Sequence, residues 1–138
     1  MKNMIFDEIK KGMSDAAQVI NSNFLKITSE TGDTGWLDLP LKTSFSAGTS
    51  KPQYRKIGNR VEVRGQLIRA SDAKGLFCTL PAGFRTSSSY IQGFVQGQQT
   101  SGSGASALVY VKPNGDLEVV STTNDTAVWL DGIYFYID

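Results

Sequence analysis

The sequence has 138 residues, of which 40% are hydrophobic and 20% are charged, and this composition suits one folded domain with a small appendage and excludes a disordered chain. Lysine and arginine total 14 and aspartate and glutamate total 13. The chain therefore lacks the excess of basic residues that would indicate binding to nucleic acid or to an anionic membrane. The absence of histidine excludes Ser-His-Asp and Cys-His catalysis and most zinc sites, and we expect neither a metal nor a cofactor.

The N-terminal residues resemble neither an export signal nor a membrane anchor. No apolar run in the sequence approaches the roughly 20 residues that span a bilayer, so we expect no insertion into a membrane. The opening stretch MKNMIFDEIKKG carries acidic side chains where a secretory signal needs its apolar segment. We therefore expect the chain to be made in a cytoplasm and not exported by the usual route.

Residues 1–28 have helical periodicity. Positions separated alternately by three and four residues form a heptad seam, the pattern by which helices wrap around one another. Gly12 interrupts this pattern, and Ser14 or Asp15 can cap a fresh helix start, so we predict a short helix before Gly12 and a firmer one from about Asp15 to Ile27. The seam consists of Phe6, Ile9, Met13, Ala16, Ile20, Asn23 and Ile27.

A helix of this length is marginal alone in water, so its seam must be buried against a partner. That partner is either the chain's own β domain or further copies of the same helix around a symmetry axis. Asn23 favours further copies, because a polar residue at a seam position costs stability but fixes register and oligomeric state. We predict a parallel homotrimer with residues 1–28 as its stem.

From Trp36 onward the periodicity changes to alternation. RVEVRGQLIR places Val61, Val63, Gly65 and Leu67 on one face and polar side chains on the other, as in a half-buried strand. The segments ALVYVK and DLEVVS flank a tight hairpin turn in PNGD. YRKIG and YIQGFVQG are further strand candidates, and TAVWLDGIYFYID is predicted to be a long final strand bent at its glycine.

Turn signals recur roughly every ten residues, which is typical of a sandwich or barrel. We therefore predict a mainly β protein: an antiparallel β-sandwich or barrel head over residues 36–138, a linker over residues 29–35, and a short N-terminal α-helical trimerisation stem over residues 1–28. Within the head, Cys78 is interpreted as a small buried residue. Trp36 and Trp129 are assigned to the core or to the trimer interface.

Five stretches, in order along the chain, resemble one known family. GMSDAAQVINSNF resembles the N-terminal helix of phage tail and baseplate proteins, and GWLDLPL followed by QYRKIGNRVEVRGQL is similar to the opening strands of tail-fibre heads. LPAGFRTS is similar to a loop of those heads, and VKPNGDLEVVS and WLDGIYFYID are similar to their closing strands. The chain thus resembles the receptor-binding or fibre proteins in the lactococcal-type baseplates of siphophages that infect Gram-positive bacteria.

The resemblance implies a homotrimer in the virion, at the tail tip or baseplate. Another baseplate or tail protein would hold the helix, and the head would meet host cell-wall polysaccharide. The sequence departs from the family in its short neck, since Thr28 to Gly35 spans less than about 30 Å even when fully extended. We therefore expect the head to lie close to the stem.

A saccharide site should combine an aromatic ring, for the C–H face of a sugar, with planar polar side chains for its hydroxyls. Arg69 could also contact the phosphate of an anionic wall polymer in a bidentate manner. Four of the five candidates, all except Tyr90, would have to lie together at one end of the head to form a site. The candidates in or beside loops are Arg69, Asp72, Tyr90, Asn124 and Asp125.

We do not expect an enzyme. Hydrolysis of a saccharide would need two carboxylates facing one cleft, and neither Glu62 with Glu118 nor Asp125 with Asp131 stands out as such a pair. The alternative to a receptor-binding protein is a purely structural trimeric component of a baseplate or tail fibre that binds no glycan. Both functions are compatible with every motif described above.

Overall fold

The computed structural model of the protein describes residues 32–99 and 105–137. Within these ranges the chain forms eleven β-strands and a single 3-10 turn at Ala70–Asp72. No helix of the described part is long and apolar enough to cross a membrane. The strands are β1 (Leu37–Asp38), β2 (Phe45–Ala47), β3 (Gln53–Ile57), β4 (Arg60–Arg64), β5 (Gln66–Arg69), β6 (Gly75–Thr79), β7 (Gln92–Gly97), β8 (Ser106–Val111), β9 (Asp116–Thr122), β10 (Val128–Trp129) and β11 (Ile133–Tyr136).

All strand pairs are antiparallel, so the predicted mainly β, antiparallel architecture is confirmed. The seven seam residues predicted from Phe6 to Ile27 lie outside the described residues, and the helical stem stays a prediction. The boundaries of stem, linker and head also stay predictions. The last predicted linker residues lie against the head, because Asp33 forms a bridge with Ile57 and the Thr34 amide donates to the Lys56 carbonyl.

Three sheets build the described domain. Their strand orders are β1-β3-β4-β11, β10-β5-β2 and β6-β9-β8-β7, called here the first, second and third sheets. The first and second sheets share a continuous chain, because β4 passes into β5 with only Gly65 between them. Buried apolar side chains from all three sheets, among them Val63, Leu67 and Val119, form one core cluster.

Gly65 breaks the strand that the sequence predicts as continuous. Its φ is +109°, and a Cβ at this position would lie 2.2 Å from the carbonyl oxygen of Lys51, so no side chain fits. The alternation therefore fails after Arg64. Gln66, expected on the outer face, is buried beside the equally buried Leu67.

The predicted hairpin is confirmed. Strands β8 and β9 pair across the turn, with Val111 opposite Leu117 and Gly115 at a φ of +93°. The predicted final strand is instead two strands, β10 and β11, which belong to different sheets. They are separated at Gly132, whose φ is +90°, so the bend predicted there is a complete interruption of the strand.

Strand directions define two ends of the domain. At the entry end, the Gly58 amide donates to the Gly32 carbonyl at 3.0 Å, so the described chain begins beside the β3–β4 turn. The loop between β6 and β7 and the end of β11 lie at the same end, because Ser87 donates to the Tyr136 carbonyl. At the opposite, far end lie the β5–β6 connection (70–74) and the β9–β10 connection (123–127).

Candidate functional site

The structure separates the five residues predicted to bind saccharide. Arg69, Asp72, Asn124 and Asp125 lie together at the far end, as a shared site would require. Tyr90 precedes β7 at the entry end, in a groove beside Tyr136. The saccharide-binding role of all five stays a prediction, but their surroundings differ sharply.

Arg69 is not an exposed loop residue, because its side chain is completely buried at the end of β5. One terminal nitrogen, Nη1, donates to Asp72 Oδ1 at 2.7 Å and to the Ala73 carbonyl at 3.1 Å. The other, Nη2, donates to the carbonyls of Asn124 and Thr126, and Nε also donates to Thr126. These bonds engage all five N–H groups of the guanidinium, so no donor is left for the predicted phosphate contact.

Gln98, the residue after β7, also holds the β9–β10 connection (123–127) that Arg69 contacts. Its buried amide donates to the carbonyls of Asn124 and Thr126 at 3.1 and 3.2 Å. Its Oε1 accepts from the backbone amides of Thr123 and Asn124. The connection 123–127 is thus held through its backbone by two buried side chains, Arg69 and Gln98.

The remaining far-end candidates differ in availability. Asn124 Oδ1 accepts from the backbone amide and the hydroxyl of Thr126, so this side chain stabilises its own turn. The hydrogen bond from Arg69 lowers the pKa of the half-exposed Asp72, while desolvation opposes the shift. Asp125 is exposed, and within the described ranges its side chain has no hydrogen bond or ion pair. Asp125 is therefore the best available contact at this end.

A groove of about 490 Å³ lies at the entry end. We call it the tyrosine groove, because Tyr90 and Tyr136 line it and these residues are 69% and 49% exposed. Tyr136 also packs edge-to-face on Tyr134, with ring centroids 6.2 Å apart. The groove is lined by Asn59, Thr86, Ser87, Ser88, Tyr90, Gln92 and Tyr136.

Hydrogen bonds within the wall hold the groove in shape. The Ser88 hydroxyl donates to the Tyr90 carbonyl at 2.9 Å, and the Tyr90 amide donates back to that hydroxyl at 3.2 Å. The Ser87 amide and hydroxyl both bind the carbonyl of Tyr136, which ties the loop to β11. The Thr86 hydroxyl donates to Gln92 Oε1, so the Gln92 amide retains N–H donors without a partner in the part of the chain described.

The sequence prediction missed Tyr136 and Gln92, both of which lie in predicted strands. One signal could have found Tyr136: in IYFY the buried Ile133 and Phe135 alternate with exposed tyrosines. Because β11 is an edge strand of the first sheet, those outward rings have open space beside them.

The two tryptophans lie outside the core cluster. Trp36 is half-buried, and two guanidinium groups lie near its ring, with Arg64 3.9 Å and Arg55 4.6 Å from the ring centroid. Both guanidinium groups are close enough for a cation–π contact with this ring. Trp129 is half-buried in β10, and its carbonyl accepts from Gln96. A role of either ring in a trimer interface stays a prediction.

Cys78 is a buried residue of β6, as predicted, and desolvation raises the pKa of its thiol to about 12. At about pH 8 only about one molecule in 10⁴ then carries the reactive thiolate. We expect a chromogenic disulfide reagent to modify the native protein at least about 10³-fold more slowly than the urea-unfolded protein. Cys78→Ser provides the background, since the chain has a single cysteine. Equal rates for native and unfolded protein would contradict the buried thiol.

Comparisons with known proteins agree with this fold. The protein SPbeta prophage-derived uncharacterized protein YomR of Bacillus subtilis (strain 168) is 28% identical over 111 residues, which cover 80% of this chain. This chain spans about a quarter of the length of that relative, since the match covers 25% of it. The crystal structure of the receptor binding protein (gp15) of Listeria phage PSA has a similar fold, with a TM-score of 0.70 and 23% identity over 93% of this chain and 82% of that one.

The resemblance to phage proteins inferred from the sequence is therefore confirmed. All the strands described above lie within the segment that a family model covers. That model is described as the YomR C-terminal beta sandwich domain, and it matches residues 30–138. Since this segment is well over half of the sequence, the chain belongs to the family of the YomR C-terminal beta sandwich domain.

Proposed function

We propose that the protein is a receptor-binding protein of a phage tail or baseplate and that it attaches the virion to saccharide on the host cell surface. Its relative in Bacillus subtilis is prophage-derived, and the similar structure from Listeria phage PSA is a receptor binding protein. These likenesses support a place in a virion. The saccharide ligand needs support from the chain's own residues.

That support comes from one observation, the chemistry of the tyrosine groove. Saccharide recognition requires flat apolar surface for C–H groups beside donors and acceptors for hydroxyls. The groove offers the rings of Tyr90 and Tyr136 next to amide and hydroxyl side chains. Its volume of about 490 Å³ lies within the range of about 300–1,000 Å³ that is usual for ligand pockets.

The proposed assembly is a homotrimer whose stem is held by another baseplate or tail protein. The heptad seam of residues 6–27 supports it, because three parallel helices would bury a face that one helix leaves in water. Three heads would then carry three grooves in one assembly. The proposed action is attachment alone, without chemical change of the saccharide.

Replacing either groove tyrosine with alanine should weaken adsorption of the full-length protein to susceptible cells by about tenfold, since an aromatic contact contributes about 0.5–1.5 kcal/mol beyond the area that it buries. Fluorescently labelled protein and a cell-sedimentation assay measure the effect for Tyr90→Ala and Tyr136→Ala. Tyr110→Ala, in β8 of the third sheet, is the matched control and should adsorb normally.

A parallel variant, Asp125→Ala, tests the far end. Loss of adsorption by Asp125→Ala with normal binding by both groove variants would move the site to the far end. No adsorption of the unmodified protein to any susceptible strain would reject receptor binding and favour the purely structural baseplate component.

A further inference from the structure

We propose that the tyrosine groove selects an uncharged sugar unit and makes no contact with the charged groups of a wall polymer. This inference rests on the proposed function, because it specifies the ligand of the same groove. It reverses the expectation that an arginine contributes a phosphate contact, since Arg69 is buried at the other end of the domain.

Among the described residues, none that lines the groove carries a charged side chain. Its seven lining residues contribute amides, aliphatic hydroxyls and phenols, which are neutral hydrogen-bonding groups. A phosphate or carboxylate entering such a groove would lose water without gaining a charge-assisted hydrogen bond, which is costly. A sugar hydroxyl exchanges water for neutral donors and acceptors of the same kind, at little cost.

Three cations on this side of the domain have partners on the protein. Arg60 lies opposite Tyr136 in the β4–β11 register, but its guanidinium is 3.4 Å from a carboxylate oxygen of Glu62. The other oxygen of Glu62 is 3.1 Å from Arg55 Nε, and Arg55 Nη1 is 3.7 Å from Asp33 Oδ2, so two carboxylates face these two arginines. Lys56 lies over the ring of Phe84, 4.9 Å from its centroid, and donates to the Gly83 carbonyl. These three cations are thus already engaged by groups of the protein.

The tyrosines set the orientation of the sugar. Tyr90 lies on a loop and Tyr136 on β11, so the two rings reach the groove from separate segments. Because Tyr136 is supported edge-to-face by Tyr134, its ring can receive a sugar face without first losing rotational freedom. The Gln92 amide lies in the same wall and retains N–H donors for a sugar hydroxyl.

Competition between two probes tests the inference on the full-length protein. One probe is the phosphate-free oligosaccharide fraction that hydrofluoric acid releases from the wall polysaccharide of a susceptible strain. The other is unglycosylated poly(glycerol phosphate). We expect the first to displace the protein from cells and the second to have no effect.

Salt and charge provide the second arm of the experiment. Affinity for the oligosaccharide should change by less than about twofold between about 50 and about 500 mM salt, because no charge on the ligand is screened. Arg60→Gln should bind equally well, and it should fold normally because an exposed ion pair contributes about 0–1 kcal/mol. Tyr136→Ala should lose affinity for the oligosaccharide about tenfold.

Three outcomes separate this inference from the proposed function. Displacement by poly(glycerol phosphate), or a tenfold loss of affinity in Arg60→Gln, would overturn the uncharged ligand and leave saccharide receptor binding standing. Displacement by neither probe, with adsorption to cells intact, would overturn saccharide binding together with this inference. Absence of adsorption to susceptible cells would overturn receptor binding itself.

Discussion

Replacing Ile20 with aspartate is expected to turn the trimer into monomers and to reduce adsorption to cells by at least about a hundredfold. In a parallel trimer this seam position brings three side chains together at the axis, so three carboxylates would be forced into one apolar layer. Light scattering should give about three times the chain mass of 15.0 kDa for the unmodified protein and 15.0 kDa for the variant.

The loss of adsorption follows from multivalency. A single shallow saccharide site binds weakly, because each sugar hydroxyl exchanges water for protein with little net gain. Linking three such sites raises the overall affinity by about 10²–10⁴ without any new contact, provided that the sites can engage together. The monomeric variant should therefore keep its affinity for a soluble oligosaccharide while losing its hold on cells.

Gln18→Asp is the matched control for Ile20→Asp. It adds the same charge to the same predicted helix, but position 18 does not belong to the seam. It should remain trimeric and adsorb normally. A monomeric unmodified protein at micromolar concentration, or a trimeric Ile20→Asp, would reject the stem as the assembly device.

The combined variant Arg69→Met/Gln98→Leu is expected to be destabilised by more than the sum of its two single changes. Arg69 and Gln98 each donate to the carbonyls of Asn124 and Thr126. When only one of these two side chains is replaced, the other therefore still donates to both carbonyls. When both donors are removed, two partly buried carbonyls lose their side-chain partners together. Such an unsatisfied group costs about 1–3 kcal/mol.

We expect the free energy of unfolding to fall by about 2–4 kcal/mol in Arg69→Met and by about 1–3 kcal/mol in Gln98→Leu. In the double variant it should fall by about 1–2 kcal/mol more than the sum of these two losses. Urea unfolding followed by tryptophan fluorescence, at one fixed protomer concentration, measures these free energies. Arg60→Met is the control on the surface of β4 and should cost less than about 1 kcal/mol. Additivity within about 0.5 kcal/mol would show that the two side chains act independently.

These variants also distinguish structural support by Arg69 from direct contact between Arg69 and a ligand at the far end. If Arg69 acts only by holding the connection 123–127, Arg69→Met should lower the stability of the protein and leave the oligosaccharide affinity of its folded fraction unchanged. A specific loss of affinity in stable, folded Arg69→Met would restore the phosphate contact that was predicted from the sequence.

Local chemistry alone was enough to predict most strands of this protein. The alternation of Val61 and Val63 with polar residues marks β4, and Asn114–Gly115 marks the β8–β9 turn. Both signals lie within a few adjacent residues, because the side-chain period of a strand and the φ of a tight turn are local properties. The order of five short motifs was likewise sufficient to identify a phage family, which the match over residues 30–138 supports.

Only the tertiary structure decided the environment of each polar side chain. Arg69 follows apolar residues in its strand and carries no local sign of burial. Two of its three carbonyl partners lie 55 and 57 residues away in the sequence. The interruption at Gly65 likewise comes from contact with the backbone of Lys51 in another segment. The tyrosine groove joins Asn59, Tyr90 and Tyr136 from three distant parts of the sequence. Sheet register brings such groups together, and register depends on the packing of the whole core, which no short stretch of sequence contains.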